Sequence, residues 1–393
     1  MTGLQHAPRP PSSAEHWGNC SGQPLAVRHI PDVETEPARI GTATHWVCSE
    51  VLTLVRDHGA PADCRLFVGA IAPNGVVIDE TMAEGAQEFV DEVLAVCRKY
   101  DSLDRLLVEF RVYMPDIHPD NWGTLDACLY LPELGLLFIW DYKNGHGHVD
   151  AKENLQLIDY TKGVFNHYNV DGYTQQHLRV SIRVVQPFCY YVRGTTRIWD
   201  VLATDLRPFW NKLHNTAHET DHNPTLTTGP HCRYCKALGR CSATRQARYN
   251  FIELVQAPYE IDDMSPRDMA VELGILEVGI AIAKERKEAI ELELIHRIRN
   301  GAPDSPLTIE AVPGRENWNV PHAQAKALFS SFGVDITTEG LLTPKQSLKK
   351  APAAVRPMLE AILSKFTKVN NSVKLIPVPE SRNARAFQKK TEQ

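Results

Sequence analysis

Residues 45–56 place apolar side chains every three to four positions, and residues 82–99 repeat that period, so both stretches are predicted as amphipathic helices. The period then drops to two. Residues 106–114 alternate as a strand, 123–131 form a second, and the unbroken apolar run 136–140 is a buried third that ends in Asp141-Tyr142-Lys143. A helical stretch at about 150–168 follows, and the β-branched residues of 180–190, with Pro187, make a fourth strand. The order helix, three strands, helix, strand predicts an α/β fold.

Residues 204–219 again read as a helix, and the Asn, Pro, Thr and Gly of 221–229 form a loop that leads into three clustered cysteines. Ser265-Pro266 is a helix start, an N-cap with Pro at the first helical position, and Asn300-Gly301 is a stop. The helix between them would run for about 34 residues and about 50 Å. Its charged half, residues 284–293, reads as a solvated face. Beyond Pro321 two short helices are expected, one capped by Thr343-Pro344. The predicted organisation is a mostly irregular segment 1–37 carrying Cys20, an α/β domain over 38–250 with the cysteine cluster, a long helix within 260–301 and a small basic subdomain over 302–393.

At 393 residues with 43% hydrophobic side chains the chain can bury a sizeable core. The longest apolar runs, such as 134–140, fall short of the roughly 18 residues a membrane span needs, and the N-terminus has no signal-peptide pattern, so a cytoplasmic protein without a membrane partner is expected. A net charge of −6 argues against a surface that clings to nucleic acid everywhere. The average hides a gradient: residues 341–393 hold 11 Lys/Arg and only 3 Asp/Glu, which suits an anionic partner.

The predicted hairpin of the second and third strands brings acids together. Asp126 follows Gly123-Thr124-Leu125, while Asp141 and Lys143, two apart on a strand end, face the same side. Two carboxylates and a lysine there suit phosphodiester chemistry with Mg²⁺ or Mn²⁺, hard cations that prefer oxygen ligands. Gln156 and Tyr160, at i and i+4, share one helix face and could grip a phosphate or base. His45, at the first turn of the early helix, is a candidate third ligand through a neutral imidazole. His146 and His148 follow the lysine closely and read as surface-loop residues.

Nine cysteines without a secretory signal do not suggest a disulfide framework. Cys232-x-x-Cys235 and, five residues on, Cys241 supply three close thiolates, and Cys20 is the natural fourth; zinc and an iron–sulfur cluster are both open on spacing alone. Cys48, Cys64, Cys97, Cys128 and Cys189 read as buried small hydrophobes.

The segments Gly41-Thr42-Ala43-Thr44-His45, Gly123-Thr124-Leu125-Asp126, Asp141-Tyr142-Lys143 and Gln156-Leu157-Ile158-Asp159-Tyr160 resemble the ordered motifs of RecB-type nucleases of the PD-(D/E)XK superfamily. The resemblance implies the αβββαβ nuclease core, with a helical region following. It implies metal binding by His45, Asp126 and Asp141 with the Tyr142 carbonyl, Lys143 as the catalytic lysine, and Gln156 and Tyr160 as the Q-x-x-x-Y motif on the substrate side. One N-terminal cysteine and a C-terminal C-x-x-C-x₅-C bracketing that core are similar to the iron–sulfur nucleases of the AddB type and of CRISPR adaptation. By that likeness Cys20, Cys232, Cys235 and Cys241 would clasp the two ends of the domain with a 4Fe-4S cluster, zinc being the alternative. The whole sequence, with its long helix and Gly314-Arg315-Glu316-Asn317-Trp318, also looks like an uncharacterised phage and prophage family related to these enzymes. The implied function is a Mg²⁺- or Mn²⁺-dependent deoxyribonuclease, an exonuclease on single strands or duplex ends in phage-type recombination, replication or degradation. Its partners would be DNA and a phage or host recombination or replication protein, in the host cytoplasm if phage-encoded. The alternative is a non-catalytic DNA-binding accessory protein on the same scaffold.

Overall fold

The computed structural model describes residues 7–31, 35–171, 177–189, 194–256, 261–299, 307–312, 316–337, 341–369 and 372–377. Its contacts divide the chain into two compact units, Met1–His231 with Trp318–Lys368, and Cys232–Asn317 with Val369–Gln393.

The first unit is a three-layer α/β structure. Helix α1, Glu36–His58, starts where the Thr35 hydroxyl accepts from the Ala38 amide and stops at Gly59, whose φ of 61° continues no helix. Helix α2, Glu80–Lys99, is capped by Asp79, which accepts from the Met82 amide at 2.8 Å. Strands β1, Leu107–Tyr113, β2, Trp122–Leu131, and β3, Leu136–Tyr142, run antiparallel in turn, with Gly135 in the left-handed region closing the tight β2–β3 connection. Helix α3, Leu155–His167, then crosses over to β4, Arg179–Val185, which lies parallel to β3.

A fifth strand, β5, Thr196–Leu202, pairs antiparallel with β4 and completes the sheet in the order β1-β2-β3-β4-β5. It was not foreseen, because Thr196–Leu202 mixes charged and apolar residues without clean alternation. The fourth strand also ends at Val185 rather than at 190. There the Gln186 amide turns to donate to the carbonyls of Gly145 and Gly147 at 2.6 and 2.7 Å, and Tyr190 lies outside the described residues.

Each sheet face carries its own core. Val112, Leu125, Ile139 and Ile182 pack under α3 and α4, Arg207–His222, while Ala127, Leu129, Trp140 and Tyr142 pack under α1 and α2. Each fully buried large side chain contributes about 1.5–3 kcal/mol. Gly163 lets α3 approach β1 closely: a Cβ there would lie 2.6 Å from the Met114 sulfur and 2.7 Å from Val112. The Trp210 indole of α4 donates to the Ile158 carbonyl at 3.0 Å and locks the two helices together.

The N-terminal segment, expected to be irregular, is folded into short helical turns at Pro11–Ser13, Ala14–Trp17 and Gln23–Val27. Trp17 is buried and donates to the Pro10 carbonyl at 3.0 Å, and the Gly22 amide donates to Thr225 at 2.9 Å. Among the described residues three helices, not two, follow Pro321: His322–Ser330, Pro344–Lys350 and Arg356–Leu363, packed around Trp318, Phe329 and Leu359. The Thr343 cap is present as a full capping box with Gln346.

In the second unit α5, Ser242–Gln256, lies against α6, Pro266–Arg299, which starts at Pro266 and has the 34 residues expected; the stop expected at Asn300-Gly301 lies outside the described residues. At Gly279 a Cβ would sit 2.0 Å from the Phe251 ring, so the two helices approach closely there. Strand Leu307–Val312 pairs antiparallel with Ser372–Pro377. No helix among the described residues is long and apolar enough to cross a membrane.

Candidate metal centre

The register of the sheet builds the site. Ala127 pairs with Trp140, so the next position on β2, Asp126, lies beside Asp141 on β3. On the other side Val108 pairs with Ala127 and Phe110 with Leu125, which sets Glu109 of β1 opposite Asp126. Three carboxylates therefore lie side by side across three neighbouring strands. Glu109 holds a φ of 46°, a conformation that costs a non-glycine residue about 1–3 kcal/mol and concentrates at functional sites.

His45 is supplied from above by α1. It lies in the middle of that helix rather than at its first turn, since the helix begins nine residues earlier. Its Nδ1 is 3.3 Å from Asp126 Oδ1, and its ring meets the Tyr142 ring edge-on at 5.2 Å. One ligand atom each from His45, Glu109 and Asp126 lies within 4.8 Å of the others, the one such group of three among the described residues.

Asp126 is oriented by its second oxygen, which accepts from the Tyr142 amide at 2.7 Å. Asp141, almost fully buried, faces Lys143 Nζ at 3.0 Å and accepts from the Gln156 amide at 2.9 Å, while Lys143 donates to the Gln156 carbonyl oxygen at 3.1 Å. Gln156 thus ties the carboxylate and the ammonium into one ring. Tyr160 donates to the Thr124 carbonyl at 2.7 Å and packs where Gly123 has no Cβ, so it braces the Gly123-Thr124-Leu125-Asp126 segment. The side chain of Tyr142 is fully buried in the α1–α2 layer and donates to Asn144, so its ring packs against His45 while its amide holds Asp126.

The electrostatics follow from this crowding. Burial opposes charge on His45, but the Asp126 and Asp141 carboxylates outweigh it and hold its pKa above the ordinary value. Burial also works against Asp126, yet His45, the Tyr142 amide and Lys143 bring its pKa below the usual range. For Asp141 burial dominates; Lys143 offsets part of it, Asp126 adds to it, and the pKa is raised. Lys143 loses to burial and regains more from Asp141, so its ammonium is retained. Glu109, although solvent-accessible, is pushed up to about 7, first by partial desolvation and then by Asp126.

A nest of carboxylate oxygens with one imidazole nitrogen fits a hard divalent cation such as Mg²⁺ or Mn²⁺. Motif spacing does not point to Glu109, because its only local signal is a charge inside an apolar strand; the β1–β2 register is what places it. His146 Nδ1 donates to the Phe188 carbonyl, 2.8 Å away, and His148 lies 3.9 Å from Asp150; neither joins the nest.

The cysteines fall into separate settings. Cys20 is buried, with the Thr227 amide donating to its sulfur at 3.5 Å. Burial pushes its pKa up, but hydrogen bonds from His231 and Thr227 outweigh this and bring it down to about 7, which suits a thiolate ligand. Cys232 and Cys235 bracket a turn closed by the Cys235 amide on the Cys232 carbonyl at 3.1 Å, with Tyr234 left-handed at φ 60°. Cys241 immediately precedes α5, its amide on the Ala237 carbonyl at 2.8 Å. The sulfurs of Cys232, Cys235 and Cys241 do not all lie within 4.8 Å of one another. Cys48, Cys64, Cys97, Cys128 and Cys189 are buried.

Fold and site together define an α/β protein with a histidine–carboxylate nest on the surface of a five-stranded mixed sheet. The chain belongs to the family described as protein of unknown function (DUF2800), whose match runs over residues 6–366.

Proposed function

We propose that the protein is a metal-dependent deoxyribonuclease, an exonuclease on single strands or duplex ends, built on a PD-(D/E)XK-type core. The observation that carries this reading is the convergence of His45, Glu109 and Asp126 within 4.8 Å beside the Asp141–Lys143 pair. His45, Glu109, Asp126 and Asp141 would hold Mg²⁺ or Mn²⁺, and the cation, when bound, supplies positive charge at the phosphate and acidifies water. The chain's own residues do the rest. The Lys143 ammonium, kept charged by Asp141, orients the attacking water and offsets charge that develops on the phosphate. Gln156 keeps lysine and carboxylate in register, and Tyr160 holds the Thr124–Asp126 segment that presents the ligand. Cys20, Cys232, Cys235 and Cys241 are proposed, by resemblance, as ligands of a structural 4Fe-4S cluster, with zinc as the alternative.

The test is digestion of end-labelled single- and double-stranded DNA in Mn²⁺ by the anaerobically purified chain and by Asp141→Ala. Loss of cleavage in the variant with an unchanged melting curve is expected. Equal cleavage would place the chemistry elsewhere, and a wild-type chain that binds DNA without cutting it under any divalent cation would make it an accessory protein.

A further inference from the structure

The second unit carries a cavity of about 1000 Å³ between the cysteine loop and the long helix, and its walls are basic. Arg233, Lys236 and Arg240 line it from the loop, and Lys284, Arg286 and Arg297 line it from α6. Glu288 and Glu293 are its acidic lining residues, and Glu293 is paired with Arg297 at 2.7 Å. In a chain of net charge −6 this concentration of cations is a local reversal of sign. The half of α6 that reads in sequence as a solvated face thus turns Lys284 and Arg286 into a shared wall. Arg286 is fixed there by donating to the Gly239 carbonyl at 3.0 Å.

Tyr234 adds an aromatic surface. Its side chain is 77% exposed, its backbone is held left-handed by the Cys232–Cys235 turn, and the Arg233 guanidinium lies 4.9 Å from its ring centre. An exposed large aromatic has no packing reason to sit on such a turn. Beside cations spread along a groove, it is what an unstacked base needs: a π-face for the base and charge for the backbone. The volume, at the upper end of what encloses a drug-sized ligand, suits a few unstacked nucleotides.

We propose that this cavity binds single-stranded DNA, with Arg240, Lys284 and Arg286 on phosphates and Tyr234 stacked on a base. The proposal rests on DNA being the substrate and names the form of DNA that the second unit holds.

The experiment is fluorescence anisotropy of a labelled dT20 oligonucleotide and of its duplex with dA20, titrated with the full chain in EDTA over a salt series. The exposed pair Arg240→Glu/Lys284→Glu should weaken dT20 binding by tenfold or more and flatten the log K against log salt slope by about 1.4, since each phosphate contact on a single strand contributes about 0.7. Tyr234→Ala should weaken it by roughly 5- to 100-fold with the slope unchanged. The neutralising pair Arg240→Gln/Lys284→Gln should give the same direction with a smaller loss, and melting curves establish that each variant is folded. Unchanged affinity and slope in the folded charge variants would overturn the proposal. Equal loss on the duplex with no effect of Tyr234→Ala would overturn the single-strand assignment. Because EDTA prevents hydrolysis, a chain that binds dT20 through these residues yet never cuts would refute the nuclease reading alone. A chain that cuts in Mn²⁺ while the charge variants bind normally would refute this proposal alone.

Discussion

The carboxylate nest and the cysteine loop are both candidate metal sites, yet they are built in opposite ways. His45 and Asp126 are 81 positions apart and meet only because a helix and three strands have already packed; the nest is assembled and hydrogen-bonded by the fold itself. Cys232, Cys235 and Cys241 sit within ten residues on consecutive turns, and two of them are only half-buried. A site made by long-range packing is preorganised for its ion, whereas a site made by local turns draws its order from the ion it holds. On the proposed function, losing a cation from the nest should abolish cleavage, and losing a metal or cluster from the cysteines should lower stability.

Breaking the nest gives the largest expected effect. Lys143→Ala should lower Mn²⁺-dependent cleavage by on the order of 10³-fold, the scale of losing a charge-stabilising group, while the melting temperature stays within a few degrees of wild type. A variant that melts normally and cuts at the wild-type rate would remove the lysine from the mechanism. Glu109→Gln tests the residue that only the register places: Mn²⁺ affinity, read by calorimetry, should fall about 10- to 100-fold, as for groups that support a metal, and an unchanged affinity would limit the nest to His45, Asp126 and Asp141.

On the other side of the comparison, Cys232→Ala should bleach visible absorption, release iron or zinc and lower the melting temperature together with activity. Normal melting with abolished, redox-dependent cleavage would instead make the cluster a redox device.

A pH dependence beside the nest sharpens the picture of how the first unit is held together. Asp159, buried in α3 with both oxygens accepting from the Asn121 amide at 2.9 Å, is pushed up to about 8 by burial. In the unfolded chain it ionises near 3.9, so between about pH 4 and pH 8 the folded state holds one more proton. Stability should therefore fall as pH rises through that window, by up to about 1.4 kcal/mol per pH unit, and level off above 8. Asp159→Asn should flatten that part of the pH–stability curve; an unchanged curve would mean the carboxyl titrates normally.

Several features were legible in order along the chain. The motifs at His45, Asp126, Asp141–Lys143 and Gln156–Tyr160 are contiguous patterns, and the start of the helix Pro266–Arg299 is written in Ser265-Pro266, where the Ser265 hydroxyl accepts from the Asp268 amide at 3.2 Å. Others were not. Gln156 bridges Asp141 and Lys143, a contact set by the distance between α3 and the end of β3 that the i, i+4 spacing of Gln156 and Tyr160 does not contain. β5 forms because β4 offers it an edge, not because its residues demand a strand.

Sequence by itself determined the local events, because caps, periodicity, turn residues and ligand-bearing side chains act over a few positions and need no distant partner. Tertiary structure alone decided the company each residue keeps. Glu109 joins the nest through a strand register, Tyr142 packs its ring under α1 against His45, and Lys284 and Arg286 become cavity wall through the packing of a helix on a loop. The physical reason is that register and packing are settled by burial summed over whole faces of a sheet or helix, a quantity no short stretch of chain contains.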